Sequence, residues 1–206
     1  MNDRRLALLL ALGLAWVGIW GAWIPHPTAS LAQNAVDLAE WSTFLLDVRS
    51  GAIPLAPEIL RLAVTLAIGA AAVGLHAVPQ IGLRWLLRIL ALAPALVMLP
   101  PYTALLTPFA ATGYRMRLIV SVLAFILVAA ALLLDQLPDR PRHLIAAGLS
   151  IGAIVCAVGA FNLLRGPFSA HYTDPIRLGI GGWLFILGLA AAALLLVTPA
   201  RMPETS

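Results

Sequence analysis

Apolar residues fill this chain in six long blocks, at 6–24, 59–77, 85–105, 118–134, 144–164 and 178–198, and each block is closed by a charge or a proline. A bilayer core about 30 Å thick takes about 20 apolar residues as a helix. The pattern therefore predicts an all-α integral membrane protein of about six transmembrane helices in a single domain, residues 1–206. The third block is the weakest, because Pro94 interrupts it and Pro100-Pro101 break it, and five spans is the alternative count. The first block has the basic start of a signal peptide in Arg4 and Arg5. Its length and the spacing of Trp16, Trp20 and Trp23, set as interfacial anchors, predict a retained helix instead.

A different periodicity occupies 30–50. At about 100° per residue, Leu31, Ala35, Leu38, Ala39, Leu45 and Leu46 gather on one face, and Asp37, Glu40, Thr43 and Asp47 take the other. Ser30 or Asn34 can cap its start and Gly51 can stop it. The pattern predicts an amphipathic helix flat on the outer surface, whose acids Asp37, Glu40 and Asp47 are a candidate partner surface.

Composition removes the soluble classes. The chain is 62% apolar and 11% charged with a mean hydropathy of +0.97, against about 25% charged residues in a soluble domain. All 13 basic residues are Arg, so lysine nucleophiles and Schiff bases are excluded. Arg falls in ones and twos between apolar blocks, which marks topology rather than a nucleic-acid partner. Six alternating spans set Arg4, Arg5, Arg84, Arg88, Arg140, Arg142 and Arg201 on one side, and Arg49, Arg61, Arg115, Arg117, Arg165 and Arg177 on the other. The leading Arg pair favours a cytoplasmic N-terminus in a bacterial inner membrane. The single Cys156 forms no intrachain disulfide.

Candidate chemistry is sparse. Gly148, Gly152, Cys156 and Ala160 recur every four residues and predict a small-residue helix-packing face. Similar faces run through Ala7, Ala11, Ala15 and Gly18, through Ala63, Ala67, Ala71 and Gly74, and through Gly179, Gly181, Gly182 and Gly188. Residues 148–152 also read G-x-S-x-G, a serine-hydrolase elbow centred on Ser150. In those five residues the chain resembles the rhomboid intramembrane proteases, which pair the serine with a histidine in the last core span. The block 178–198 holds no histidine. His76, nearly a turn inside its block, is the candidate for a haem or pigment ligand. The outer loop 162–177 gathers Asn162, Arg165, His171, Tyr172 and Asp174, a candidate ligand or partner surface with Gly166-Pro167 and Asp174-Pro175 turns.

Of the charged residues, only Arg61 and Arg88 lie inside the six blocks, each near enough to an end to snorkel. Ion-coupled transport requires ionisable groups near the membrane centre. The expected function is therefore that of a non-catalytic accessory subunit among other membrane-protein subunits, with an electron-transfer complex as the expected setting. The alternative is a transporter or channel subunit for a neutral or lipidic solute, lined by Thr65, Ser121, Ser150 and Asn162; an intramembrane hydrolase using Ser150 comes third. No cofactor is predicted, beyond contact with lipid, quinone or pigment.

Overall fold

The computed structural model describes residues 3–26, 32–106, 114–170, 172 and 175–198. The described chain is helical apart from loops and one isolated antiparallel bridge between Ile24 and Gln33. In order, the helices are α1 (Asp3–Trp20), α2 (Ala35–Ser42), α3 (Leu46–Arg49), α4 (Ala56–Gly74), α5 (Ile81–Ala91), α6 (Ala93–Met98), α7 (Tyr102–Leu106), α8 (Arg115–Leu134), α9 (Asp139–Ser169) and α10 (Ile180–Val197). Five stretches are long and apolar enough to cross a membrane: Ala56–Ala77, Ile81–Met98, Arg115–Leu134, Asp139–Ser169 and Ile180–Val197.

The first helix is not among the five, because Asp3, Arg4 and Arg5 open its 18 residues. It nevertheless lies antiparallel along α10. Arg4 of α1 donates to the carbonyl of Leu195 at 2.5 Å, and at the other end Gly181 donates its N–H to Ala22 O at 2.9 Å. Between these ends the two backbones nearly touch. A Cβ on Gly18 would meet Phe185 N at 2.4 Å, and one on Gly188 would meet Ala15 N at 2.6 Å. In lipid, apolar surface supplies little drive for association, so such close approach is what holds two helices together. The small faces expected on the first and last blocks are this contact.

Of the small face expected on α9, Gly152 faces α4, where a Cβ would meet Leu66 Cδ1 at 3.3 Å, and Ala160 is buried. No atom lies within 4 Å of a Cβ placed on Gly148, and Cys156 is only half-buried. The buried seam is Ala146, Ser150, Ala153, Ala157, Ala160 and Leu164. Steps of four advance about 400° and walk off the contact; alternating steps of four and three average 3.5 residues and stay on it. Only Ala160 belongs to both rows. This seam and α4 form the centre of the bundle, with α4 burying Leu60, Ala63, Val64, Ala67 and Ile68.

The third apolar block forms α5 and α6, which together make a candidate span over Ile81–Met98 rather than 85–105. Pro94 sits in the first turn of α6, where its missing N–H costs nothing, and Leu92 makes the offset between the two helices. Pro100-Pro101 end the pass, and the short α7 follows. The amphipathic segment also differs from a single helix over 30–50. It breaks into α2 and α3 where the Ser42 and Thr43 hydroxyls donate back to Ala39 O and Glu40 O at 2.9 and 2.7 Å. Asn34 caps α2 through the N–H groups of Val36 and Asp37; Ser30 and Leu31 lie outside the described residues. Ala35, Leu38 and Ala39 pack inward against α4, while Leu46 is exposed. Trp23, expected as an interfacial anchor, is instead a buried wedge. Its ring packs at a tilt against Phe185 with centroids 5.3 Å apart, and its indole N–H donates to Gly18 O at 2.9 Å.

Candidate functional site: the arginine clusters and the proximal pocket

The alternating passes sort the ionisable groups to two ends: a proximal end, where α1 and α9 begin, and a distal end, where α4, α8 and α10 begin. Arg61 and Arg88 do not snorkel. Their side chains are 2% and 1% exposed, held in ion pairs between helices. A buried guanidinium is tolerated only where its charge and its donors are both met.

At the distal end, Arg61 of α4 meets Glu58 at 2.5 Å and Glu40 at 3.1 Å, and donates to Ala39 O at 3.2 Å. Arg117 of α8 reaches the same Glu40 at 2.6 Å and donates to Met98 O at 2.8 Å and Leu99 O at 3.1 Å. Glu40 was expected to face a partner. Its side chain is 44% exposed, and from that surface position it binds two arginines of the bundle and ties α2 across the ends of α4 and α8. Asp37 and Asp47 take no part in this cluster.

At the proximal end, Asp135 follows α8. It receives both Nη groups of Arg88, at 2.7 and 2.8 Å, and Arg88 Nε donates to Ala72 O at 2.9 Å. His76 Nδ1 lies 2.9 Å from the same carboxylate, and Arg84 Nη1 is 3.5 Å away. Burial alone would raise the Asp135 carboxyl. The hydrogen bonds and charges of Arg88 and His76 outweigh it and hold it at about 2. His76, the candidate cofactor ligand, is thus part of an ion-pair network, and among the described residues no three His, Cys, Asp or Glu side chains come together as a metal set.

Beside this network lies a cavity of about 360 Å³ between α1, α4, α5, α9 and α10. Arg4, Arg5, Arg84, Arg142, His76 and His143 line it, and Asp139 is the one acid among the lining residues. Leu8, Val73, Ala146 and Leu196 form a buried apolar floor. Arg142 is already bound, to Asp139 and to Leu137 O at 3.0 Å. His76 and His143, 67 positions apart in sequence, line the same pocket. That juxtaposition needs the ends of α4 and α9 to meet.

The remaining candidates resolve individually. Ser150 is buried and donates to Ala146 O at 2.9 Å along its own helix. Thr65 and Ser121 likewise donate to Val120 O and Met98 O, both at 3.1 Å, closing helix contacts rather than lining a polar cleft. Asn162 and Arg165 lie on α9, not in a loop, because the helix continues through Pro167 to Ser169. With Arg177 they edge a crevice of about 520 Å³ against α10. Tyr172 stands apart, accepting a bond from Gln33 at 3.3 Å and stacking edge-on against His26. Burial raises its phenol above the ordinary value, and the Gln33 bond acts in the opposite direction. His171 and Asp174, and with them the Asp174-Pro175 turn, lie outside the described residues.

Compared with known proteins, the chain matches no family model, no curated protein and no solved structure. Its residues are therefore the only guide to its function.

Proposed function

We propose that this chain is a non-catalytic accessory subunit of a larger complex in a bacterial inner membrane, with α5 as its partner-facing span and with α1 as a sixth span paired to α10. The observation that carries this reading is the exposure of α5. Of its 11 residues only Arg88 and Ala91 are buried, while Ile81, Leu86, Ile89 and Leu90 are 49–69% exposed. The helix is held to the bundle by Arg88, through Ala72 O and Asp135, and an apolar furrow of about 440 Å³ separates it from α1. A packed neighbour is the usual means by which a membrane helix gains what close contact supplies. The furrow is walled by Leu12, Trp16, Leu87 and Leu90, and the Trp16 indole N–H is buried without a partner among the described residues.

The ion pairs support the same reading, since Arg61, Arg88, Glu40 and Asp135 are all engaged in joining helices. The test is purification in mild detergent from the native host, with a photo-crosslinking residue at Leu83 or Leu90. A stoichiometric complex crosslinked through α5 is expected, and haem- or pigment-bearing chains within it would make the setting an electron-transfer complex. A chain that purifies alone and crosslinks only to lipid overturns the proposal.

A further inference from the structure

We propose that the α2–α3 segment is an interfacial membrane anchor, whose Trp41–Phe44–Leu46 ridge lodges among the lipid headgroups at the distal end. The inference rests on the reading of this chain as membrane-spanning and goes beyond its role as an accessory subunit. An interfacial helix ordinarily lays its one apolar face in lipid. Here that face is already used: Ala35, Leu38 and Ala39 are buried where α2 packs on α4 and touches α1 and α6. A second apolar edge remains. Trp41 and Phe44 are 57% and 64% exposed, their rings meet edge-on with centroids 6.1 Å apart, and Leu46 beyond them is exposed as well. Contiguous exposed apolar side chains of this size mark a surface that something covers.

The ion pairs fix the depth of this ridge and with it the occupant. Arg61 reaches both Glu40 and Glu58, and Glu58 is two residues past Ala56, where the span of α4 begins. Arg117, which also binds Glu40, is two residues past Arg115, where the span of α8 begins. The Glu40 carboxylate is therefore level with the first turns of two spans. Trp41 follows it directly, and Leu55, exposed one residue before Ala56, continues the apolar surface at the same level. The headgroup zone outside the hydrocarbon core is about 5–8 Å deep on each side. A helical turn rises about 5.4 Å, so a helix held level with a first turn lies within that zone. Tryptophan suits it, because the indole joins an apolar body to a polar N–H. Exposed Asp37 and Arg49 bound the ridge before and after it. Headgroups accept such a mixture of aromatic and charged groups without a shaped partner surface, whereas the hydrocarbon core would exclude the charges.

The test uses the full chain in a Cys156→Ala background, reconstituted alone in vesicles of phosphatidylcholine and phosphatidylglycerol. One cysteine at a time carries a nitroxide, and electron paramagnetic resonance compares its collisions with oxygen, which concentrates in lipid, and with a water-soluble nickel chelate. Ile126→Cys, on the exposed side of α8, is the control for spanning, and Gln136→Cys, in the turn between α8 and α9, is the control for water. Labels at Trp41→Cys and Phe44→Cys are expected to show an oxygen-to-nickel ratio above that of Gln136→Cys and below that of Ile126→Cys. Should Trp41→Cys not fold, Phe44→Cys and Leu46→Cys carry the same comparison. A ridge as open to nickel as Gln136→Cys overturns the proposal and leaves the spanning reading intact. A ridge that neither probe reaches also overturns it, since protein rather than lipid then covers the site. If Ile126→Cys itself is as open to nickel as Gln136→Cys, the spanning reading fails and the anchor falls with it.

Discussion

At the distal end, Arg61 and Arg117 meet Glu58 and Glu40, two cations against two anions, and the cluster closes on itself. At the proximal end, Arg88 and Arg84 share Asp135, Arg142 holds Asp139, and Arg4 and Arg5 stand beside them around a cavity. Both ends use a buried arginine to join helices that have little other reason to associate in lipid. The difference is that the distal cluster joins helices by itself, whereas the proximal clamp borders a cavity. Arginine count alone does not distinguish the two, because each side of the bundle carries a similar number.

The largest test of this contrast is Asp135→Ala. It leaves Arg88 buried and unpaired, and a cost of about 3–5 kcal/mol is expected for breaking one side of a buried pair. Unfolding in detergent measures it, and the double change Arg88→Met/Asp135→Leu should be milder than either single one. Arg61→Met is expected to cost less, about 2–3 kcal/mol, because Glu40 keeps Arg117 while Glu58 loses its partner. If Arg61→Met proves the costlier change, the proximal network is not the tighter clamp.

Acid sharpens the same comparison. The Asp135 carboxyl is depressed to about 2, below its ordinary value of about 4. Its contribution is therefore complete above pH about 4 and is lost as the pH falls through about 2, on the order of 2 kcal/mol in all. Melting temperature is expected to drop across that window in the parent chain and to drop less in Asp135→Asn. The smallest effect serves as a control outside both clusters. Gly148→Ala on α9 meets no neighbouring atom and should stabilise by up to about 1 kcal/mol, from helix propensity alone. A loss of stability there would show that the open face of α9 is covered by something.

Much of the fold was legible in the apolar blocks. The helices at 59–77, 118–134 and 178–198 appear nearly as expected, at Ala56–Ala77, Arg115–Leu134 and Ile180–Val197. The sorting of arginines to two sides was legible as well, because spans of fixed length must alternate. What escaped was which way side chains turn. Gly148 looked like part of a packing face but meets nothing, while Gly152 meets Leu66 and the buried seam passes through Ala153 and Ala157. That Glu40 ties helices together escaped because its partners, Arg61 and Arg117, lie 21 and 77 positions away in sequence. Asn162 and Arg165 looked like loop residues because Pro167 reads as a stop, yet a proline in a last turn removes only one bond.

The sequence by itself determined that this is an all-helical chain with spans of membrane length, that its chemistry excludes lysine, and that its charges collect at the ends of those spans. These follow from composition and period, which any fold of the chain must respect. Only the tertiary structure decided that Asp135 binds Arg88 beside a cavity, while Glu40 joins Arg61 and Arg117. Pairing depends on which helix ends meet, and hydrophobic blocks interchangeable in lipid do not encode that choice one at a time.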